Sequence, residues 1–263
     1  MYYLRLLLIA TLVFGISGCS SLGNLLPKQV DETKNWSASK LYSEAKKSLS
    51  SGEYEDAIKY YETLEARYPF GRYAQQAQIE IAFAYYKADE PESAIAAADR
   101  FIKLHPRHPS VDYVYYLKGL VNFNAGKDLV SKYLPQDPTQ RDPGAARQSF
   151  QDFAALLKQF PDSKYAKDAR QRMIFLRNNL AAYEVHVARY YMKRKAYVAA
   201  ANRAKYVVEN YERTTSVPNA LNIMVVAYDH LGLSKLSQDA MRVLETNYPK
   251  DPALAKAKQL TVN

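Results

Sequence analysis

Apolar and polar residues follow each other along this chain with the period of an α-helix. Ala57, Tyr61 and Leu64, for example, are spaced by four and three residues and therefore share one helix face. Runs that alternate Val, Ile and Thr with polar residues, as half-buried strands do, are absent from the sequence. Glycine is scarce, with 9 residues in 263, and good helix formers dominate. The pattern predicts an all-α protein.

The helical pattern recurs five times, and each recurrence closes at a residue that marks a helix end. These residues are Pro69, Pro106, Pro161, Glu212 and Pro249. They are 37, 55, 51 and 37 residues apart, so a unit of 37 residues is enlarged once by 18 and once by 14. A fixed period of this length is typical of helix pairs that stack into a solenoid.

The second helix of each unit repeats one triplet: a small residue, a residue four positions later, and an apolar residue three positions further on. The triplets are Ala57, Tyr61 and Leu64; Ala94, Ala98 and Phe101; Ser149, Phe153 and Leu156; Ala200, Ala204 and Val207; and Ser237, Met241 and Leu244. The first helices carry small residues at Ala45, Ala82, Gly119 and Ala188, with Val225 in the fifth unit. This arrangement resembles the tetratricopeptide consensus. It predicts a superhelical solenoid of five tetratricopeptide-like helix pairs; chance periodicity in an Ala-rich helical bundle is the alternative.

Turns and insertions complete the prediction of the fold. Gly52, Asp89, Gly144 and Gly232 each lie five residues before the small residue of a second helix, where a turn between the two helices is needed. Residues 127–144 contain three prolines and predict a long loop in the third unit. Residues 162–191 contain neither Gly nor Pro, so the other insertion predicts one lengthened helix that bridges units three and four.

The N-terminus has the features of a bacterial export signal. Residues 6–16 form an apolar run that is too short for the roughly 20 residues that span a bilayer. The sequence ISGC, which ends at Cys19, resembles the lipobox of bacterial lipoproteins. Ser20, directly after the cysteine, resembles the residue at this position in lipoproteins exported to the outer membrane. We predict that Cys19 is lipidated and becomes the new N-terminus. An ordinary secretory signal or an uncleaved anchor is the alternative.

These observations give the expected domain organisation. It comprises a signal peptide at 1–18, a lipidated N-terminus and flexible tether at 19–36, a solenoid at 37–255 and a tail at 256–263. The N-terminal repeats are expected at about 38–125 and the C-terminal repeats at about 145–250.

Composition and motifs argue against nucleic-acid binding and catalysis. The net charge is +9, but the densest basic cluster, at 193–195, is only three residues long. Cys19 is the single cysteine, so lipidation leaves no thiol for a disulfide, a nucleophile or a metal. His105 and His108 lack a nearby carboxylate in sequence, and no HExxH, GxSxG or Gly-rich phosphate loop is present. The sequence predicts no enzyme, no metal site and no cofactor.

Particular segments resemble the BamD family, also named ComL or YfiO, which is a lipoprotein family of the outer-membrane β-barrel assembly machinery. The matches are RYPFG at 67–71, YAQQ at 73–76, AYYK at 84–87, DRFI at 99–102, DYV at 112–114, RDP at 141–143, FL at 175–176, YE at 183–184 and NR at 202–203. The resemblance implies a non-catalytic scaffold on the periplasmic face of the outer membrane. Its C-terminal repeats are expected to dock on a POTRA domain of BamA and on other Bam lipoproteins.

The resemblance also implies two sets of binding residues. Arg203 matches the family's Asn-Arg pair and is expected to contact BamA; a solvated helix cation is the alternative. The N-terminal repeats are expected to receive unfolded outer-membrane proteins by their C-terminal signal. A periplasmic repeat lipoprotein that regulates cell-wall synthesis is the rival assignment.

Repeat geometry suggests where such clients bind. Positions 2, 5, 9 and 12 of the first helix line the concave face of tetratricopeptide-like pairs. In the first three units, these positions and their neighbours supply Tyr42, Lys46, Phe83, Tyr86, Lys87, Tyr113, Tyr116 and Phe123. We expect these rings to stack on the aromatic end of a client while Lys46 or Lys87 binds its carboxylate. The alternative is that several of the rings pack between neighbouring repeats.

Overall fold

A computed structural model describes residues 32–125 and 142–260 of the chain. Within these ranges the chain forms eleven helices and no strand. The helices are α1 (Ala38–Ser51), α2 (Tyr54–Arg67), α3 (Arg72–Lys87), α4 (Pro91–Leu104), α5 (Val111–Asn124), α6 (Gly144–Gln159), α7 (Ala166–Lys193), α8 (Tyr197–Asn210), α9 (Val217–His230), α10 (Ser234–Asn247) and α11 (Pro252–Leu260). The predicted signal peptide, Cys19 and most of the predicted loop at 127–144 lie outside the described residues.

Consecutive helices pack as pairs, which confirms the predicted solenoid. The pairs are α1–α2, α3–α4, α5–α6, α7–α8 and α9–α10, and each second helix also packs on the first helix of the next pair. First helices of adjoining pairs also contact each other: α1 packs on α3, α3 on α5, and α7 on α9, while α5 and α7 meet through side chains such as Tyr116 and Asp168. None of the helices at 32–125 and 142–260 is both long and apolar enough to cross a bilayer.

The core between the paired helices uses the predicted positions. Every member of the five triplets is buried except Met241, which is half-buried. Gly119 has no room for a side chain, because a Cβ atom there would lie 2.4 Å from the Phe153 ring. The two serines at small positions satisfy their hydroxyls across the pair: Ser149 donates to the Gly119 carbonyl at 2.9 Å, and Ser237 to the Val225 carbonyl at 3.0 Å.

Each of four turns within pairs contains one residue with a left-handed backbone conformation. Gly52, Asp89, Lys195 and Gly232 have φ values of 85°, 61°, 59° and 70°. In each turn the next residue donates its N–H to a carbonyl near the end of the first helix, as Glu53 does to Ser48 at 2.9 Å. The expectation for Gly144 is wrong, because this residue is the first of α6. The turn of the fourth pair uses Lys195, which lies five residues before the small residue Ala200 but, as a lysine, gives no sign of a left-handed conformation.

The lengthened helix is confirmed. Helix α7 has 28 residues, twice the 14 of α8, and it contributes to two cores. Its first half places Ala169 and Leu176 against Phe153 and Leu156 of α6. Its second half packs on α8. The insertion therefore carries the chain from the third pair to the fourth without a turn.

The solenoid continues beyond the predicted end at residue 255. Helix α11 extends to Leu260, and Ala257 within it is fully buried. Asn222 of α9 donates to the Ala253 carbonyl at 3.0 Å, and Lys258 lies 2.7 Å from Glu245 of α10. This helix covers the exposed side of the fifth pair, as the first helix of a sixth pair would.

Candidate functional site

A groove of 640 Å³ opens among the first helices of the N-terminal repeats and the turn between α6 and α7. Lys46, Phe83 and Tyr113, three of the predicted client-binding residues, line it. Helices α1, α3 and α5 contribute one of these side chains each. The groove thus lies where the repeat pattern places the concave face of the first three pairs.

The carboxylate of Glu80 forms the floor of this groove and is held by four donors. Lys46 donates at 2.7 Å, Tyr42 at 2.9 Å and Gln76 at 3.0 Å, all to Oε1, while Tyr61 donates to Oε2. The side chain of Glu80 is 10% exposed, whereas that of Lys46 is 56% exposed. A nearly buried carboxylate therefore fixes the position of an ammonium group at the mouth of the groove.

Protonation states follow from these contacts. Burial alone raises the pKa of Glu80, because it penalises the charged form, but the four hydrogen bonds outweigh burial and the net pKa is lowered. Burial and the bond to Glu80 both raise the pKa of the Tyr61 and Tyr42 hydroxyls. At neutral pH the carboxylate is charged and both tyrosines remain donors.

The opposite wall of the groove carries both acidic and basic side chains. Ser163 donates to Asp112 at 2.7 Å, which ties the α6–α7 turn to the start of α5. Asp162 and Lys164 line the same wall. With Glu80, Asp112 and Asp162 against Lys46 and Lys164, the groove is not cationic overall. Its positive edge is local and centres on Lys46.

Three of the predicted rings pack between helices farther along the concave face. Tyr86 accepts a hydrogen bond from Asn124 at 2.5 Å, and its ring lies 6.2 Å from Phe83. Tyr116 donates to Asp168 at 2.6 Å and stacks on Tyr165.

Phe123 is the third of these rings. It contacts Phe153 and Phe175, with the Arg172 guanidinium 4.7 Å from its centre. Like Tyr86 and Tyr116, it joins neighbouring helices.

Lys87 lies outside the groove. Its ammonium is 5.6 Å from the centre of the Tyr54 ring, in a separate pocket formed by the acidic turn between α1 and α2. Lys46 and Lys87 therefore do not form one cationic edge, and only Lys46 has the predicted location.

A second pocket, of 490 Å³, surrounds Arg203 in the C-terminal repeats. Arg203 Nη1 lies 2.9 Å from Oε2 of Glu184, and Arg147 Nη2 lies 3.4 Å from Oε1 of the same carboxylate. The Glu184 side chain is 2% exposed, whereas the two arginines are 46% and 49% exposed. The hydrogen bond to Glu184 raises the pKa of Arg203. Arg203 thus has a partner within its own chain.

The sequence analysis did not identify Glu80 or Glu184 as residues of the two sites, although their spacing to alanines gave a signal. Glu80 lies three residues after Ala77 and four before Ala84, and Glu184 is placed identically between Ala181 and Ala188. A carboxylate at an inner position of a helix must be paired to be buried. Among the residues described, no cluster of three or more His, Cys, Asp and Glu side chains has the geometry of a metal site.

Comparison with known proteins gives one consistent family. Residues 34–258 match the YfiO family, described as outer membrane lipoprotein. A protein of Neisseria meningitidis serogroup A, named outer membrane protein assembly factor BamD, is 47% identical over 97% of this chain and 95% of its own length.

More distant relatives carry the same name. The Xylella fastidiosa 9a5c protein is 37% identical over 96% of this chain and 84% of its own length. The Vibrio cholerae protein is 36% identical over 92% of this chain and 96% of its own length. The similarity covers all five helix pairs.

Proposed function

Because the chain belongs to the YfiO or BamD family of outer membrane lipoproteins, we propose that it is a non-catalytic scaffold for the assembly of outer-membrane β-barrel proteins. In this proposal the N-terminal groove receives unfolded clients and the Arg203 pocket docks on BamA. The observation that supports client binding most directly is the Lys46 ammonium held beside Phe83 and Tyr113 by a nearly buried carboxylate.

The groove offers complementary contacts for a chain that ends in an aromatic residue. Phe83 and Tyr113 supply ring surface, and an ammonium has three N–H donors, of which Glu80 accepts one from Lys46. A terminal carboxylate can therefore bind Lys46 without displacing Glu80, which keeps its bonds from three neutral donors. Orientation of the lysine before binding lowers the entropy lost when the ligand binds.

A peptide that ends in Phe with a free carboxylate tests this proposal with the full chain. We expect Lys46→Met to weaken binding about tenfold, the effect of losing one charged hydrogen bond of ~1.5 kcal/mol. Amidation of the peptide should weaken binding of the wild type by a similar factor and of Lys46→Met very little. Lys87→Met is the matched control, because it removes a cation outside the groove. If the wild type bound the free-acid and amidated peptides with equal affinity, the proposed contact between Lys46 and the terminal carboxylate would be refuted.

Docking on BamA is proposed to use both arginines of the C-terminal pocket. Arg147 and Arg203 share one internal carboxylate, so the cluster retains a positive charge and most of its N–H donors. An acidic side chain of the partner fits this charge. Other Bam lipoproteins are proposed as further partners.

Separating docking from folding requires a second substitution. Arg203→Met alone weakens the internal pair, so it is to be combined with Glu184→Gln, which removes the buried charge. The double variant should fold but no longer co-purify with BamA. Glu184→Gln alone should fold and still co-purify with BamA. A double variant that still co-purifies as the wild type does would contradict the docking role. Recovery of a cell-wall synthase instead of BamA from detergent-solubilised envelopes would favour the rival regulator.

The lipid anchor at Cys19 is proposed from the lipobox resemblance. Labelling of cells with a radioactive fatty acid should mark the wild-type protein and not Cys19→Ser, because lipidation requires the thiol. Equal labelling of both proteins would refute it. A lipid anchor places the folded repeats at the periplasmic face of the outer membrane, where BamA and its clients meet.

A further inference from the structure

The turn between α2 and α3 exposes a large apolar side chain. Phe70 is 90% exposed. The equivalent positions in the turns between later pairs, one residue after each repeat end, are Arg107, Asp162, Arg213 and Lys250. Four turns thus carry a charged residue where the first carries Phe. Single exposed apolar side chains are common on protein surfaces, so the meaning of Phe70 depends on its setting and on the charged residues at the equivalent positions.

The backbone of this turn depends on glycine. Gly71 has φ 98° and ψ 177°, a conformation that is essentially confined to glycine. A Cβ atom at Gly71 would meet nothing within 4 Å, so backbone conformation and not space requires the glycine. The turn that displays Phe70 is therefore a defined local structure.

Aromatic side chains and cations flank Phe70 in sequence and lie just before and within α1, a segment that Tyr68 contacts through the Trp36 carbonyl. Tyr68 is 38% exposed and donates to the Trp36 carbonyl at 3.0 Å. Lys40 lies 5.4 Å from the centre of the Trp36 ring, and the Arg72 guanidinium lies 4.9 Å from that of Tyr73. Amphipathic rings together with Lys and Arg are typical of protein surfaces at the lipid–water boundary.

The turn also lies beside the point where the chain leads to the predicted lipid anchor. Arg67, at the end of α2, donates to the carbonyl and, at 2.9 Å, to the hydroxyl of Thr33. Glu32 lies only 13 positions after Cys19 in sequence, which limits the span between them to about 45 Å. A lipid on Cys19 therefore limits how far the Phe70 turn can lie from the membrane surface.

We propose that the Phe70 turn contacts the membrane surface, with Phe70 entering the lipid interface. The contact would orient the first repeats on the bilayer. It rests on the proposed lipid anchor and on nothing else in the proposed function.

The test places a single tryptophan in full-length lipidated protein, bound to vesicles of phosphatidylethanolamine and phosphatidylglycerol with brominated acyl chains. Trp36, the one native tryptophan, is replaced by Phe, and Trp is introduced by Phe70→Trp or, as the matched control, by Arg107→Trp in the next turn. We expect bromine to quench the Phe70→Trp emission at least about twofold more than the control. Emission of the Phe70→Trp protein should also shift to shorter wavelength on binding.

Equal quenching at both positions would overturn the proposal. So would shielding of the Phe70→Trp ring only after addition of a client peptide or BamA, which would identify a protein contact. Flotation of the vesicles separates the two premises: protein that does not float contradicts the lipid anchor and the contact together, whereas floating protein without selective quenching contradicts the contact alone. Melting of Phe70→Ser should match the wild type, because the ring is exposed.

Discussion

Two buried glutamates have the same spacing to alanines of their own helices, and their partners differ. Both lie three residues after and four before buried alanines of a first helix. Glu80 receives hydrogen bonds from two tyrosines, a glutamine and a lysine, whereas the described contacts of Glu184 come from Arg147 and Arg203. Neutral donors can stabilise a buried carboxylate by themselves. Where neutral donors surround the carboxylate, the nearby cation contributes little to its stabilisation. Where they are absent, the cations must stabilise the buried carboxylate in addition to any contact with a partner.

The largest expected effect comes from removing both cations of the C-terminal pair. Arg147→Met combined with Arg203→Met leaves the buried Glu184 carboxylate without either arginine. Breaking a fully buried pair costs about 3–5 kcal/mol, and we expect the lower end of this range because both arginines are nearly half exposed. Urea denaturation should show this loss in the free energy of unfolding. Addition of Glu184→Gln should restore most of it, since no buried charge then remains. A double Met variant of wild-type stability would show that water replaces the arginines.

A smaller effect is expected on the N-terminal side from Tyr61→Phe. Tyr61 is fully buried, and its hydroxyl bonds one oxygen of Glu80, so its removal should cost about 1–3 kcal/mol. Thermal denaturation of Tyr42→Phe provides the comparison. Tyr42 is only half-buried, and its loss should be smaller. A larger stability loss for Tyr42→Phe than for Tyr61→Phe would mean that the hydrogen bond at the mouth of the groove stabilises the Glu80 carboxylate more than the buried one.

Lys46→Met should have a still smaller effect on stability, less than about 1 kcal/mol, because the lysine is more than half exposed and Glu80 keeps three neutral donors. The same variant should weaken peptide binding, as proposed above. Circular dichroism melting and peptide titration of one preparation check both parts. A stability loss comparable to that of Tyr61→Phe would remove the distinction between the two glutamates.

The last prediction concerns pH. The folded pKa of Glu80 lies below its ordinary value, so its contribution to stability is present above the ordinary pKa and is lost as pH falls through the folded pKa. The stability of the wild type relative to Glu80→Gln should therefore decline as the solution is acidified from about pH 5. Urea midpoints of both proteins across this range measure the difference. A constant difference would show that Glu80 does not change its protonation on unfolding.

The fold could be predicted from the sequence because its signals are local. The helical period, the small residues and the repeat ends each involve residues only a few positions apart. The triplet containing Ala57 and the uninterrupted run that forms α7 both led directly to the observed helices. Lys195 marks the limit of this reasoning. The repeat register locates a turn there, five residues before Ala200, but a lysine gives no sign of the left-handed φ of 59°.

Helical period and repeat spacing thus predicted the all-α class, the five helix pairs, the buried stripe of each second helix and the placement of Lys46, Phe83 and Tyr113 on one surface. Packing between helices, which the sequence did not reveal, directs Lys87 to another pocket, joins neighbouring helices through Tyr116 and Phe123, and pairs Arg203 with Glu184. These contacts join residues 19 to 52 positions apart, or helices separated by other helices. They depend on how each helix rotates and packs against the next, which the helical period does not specify.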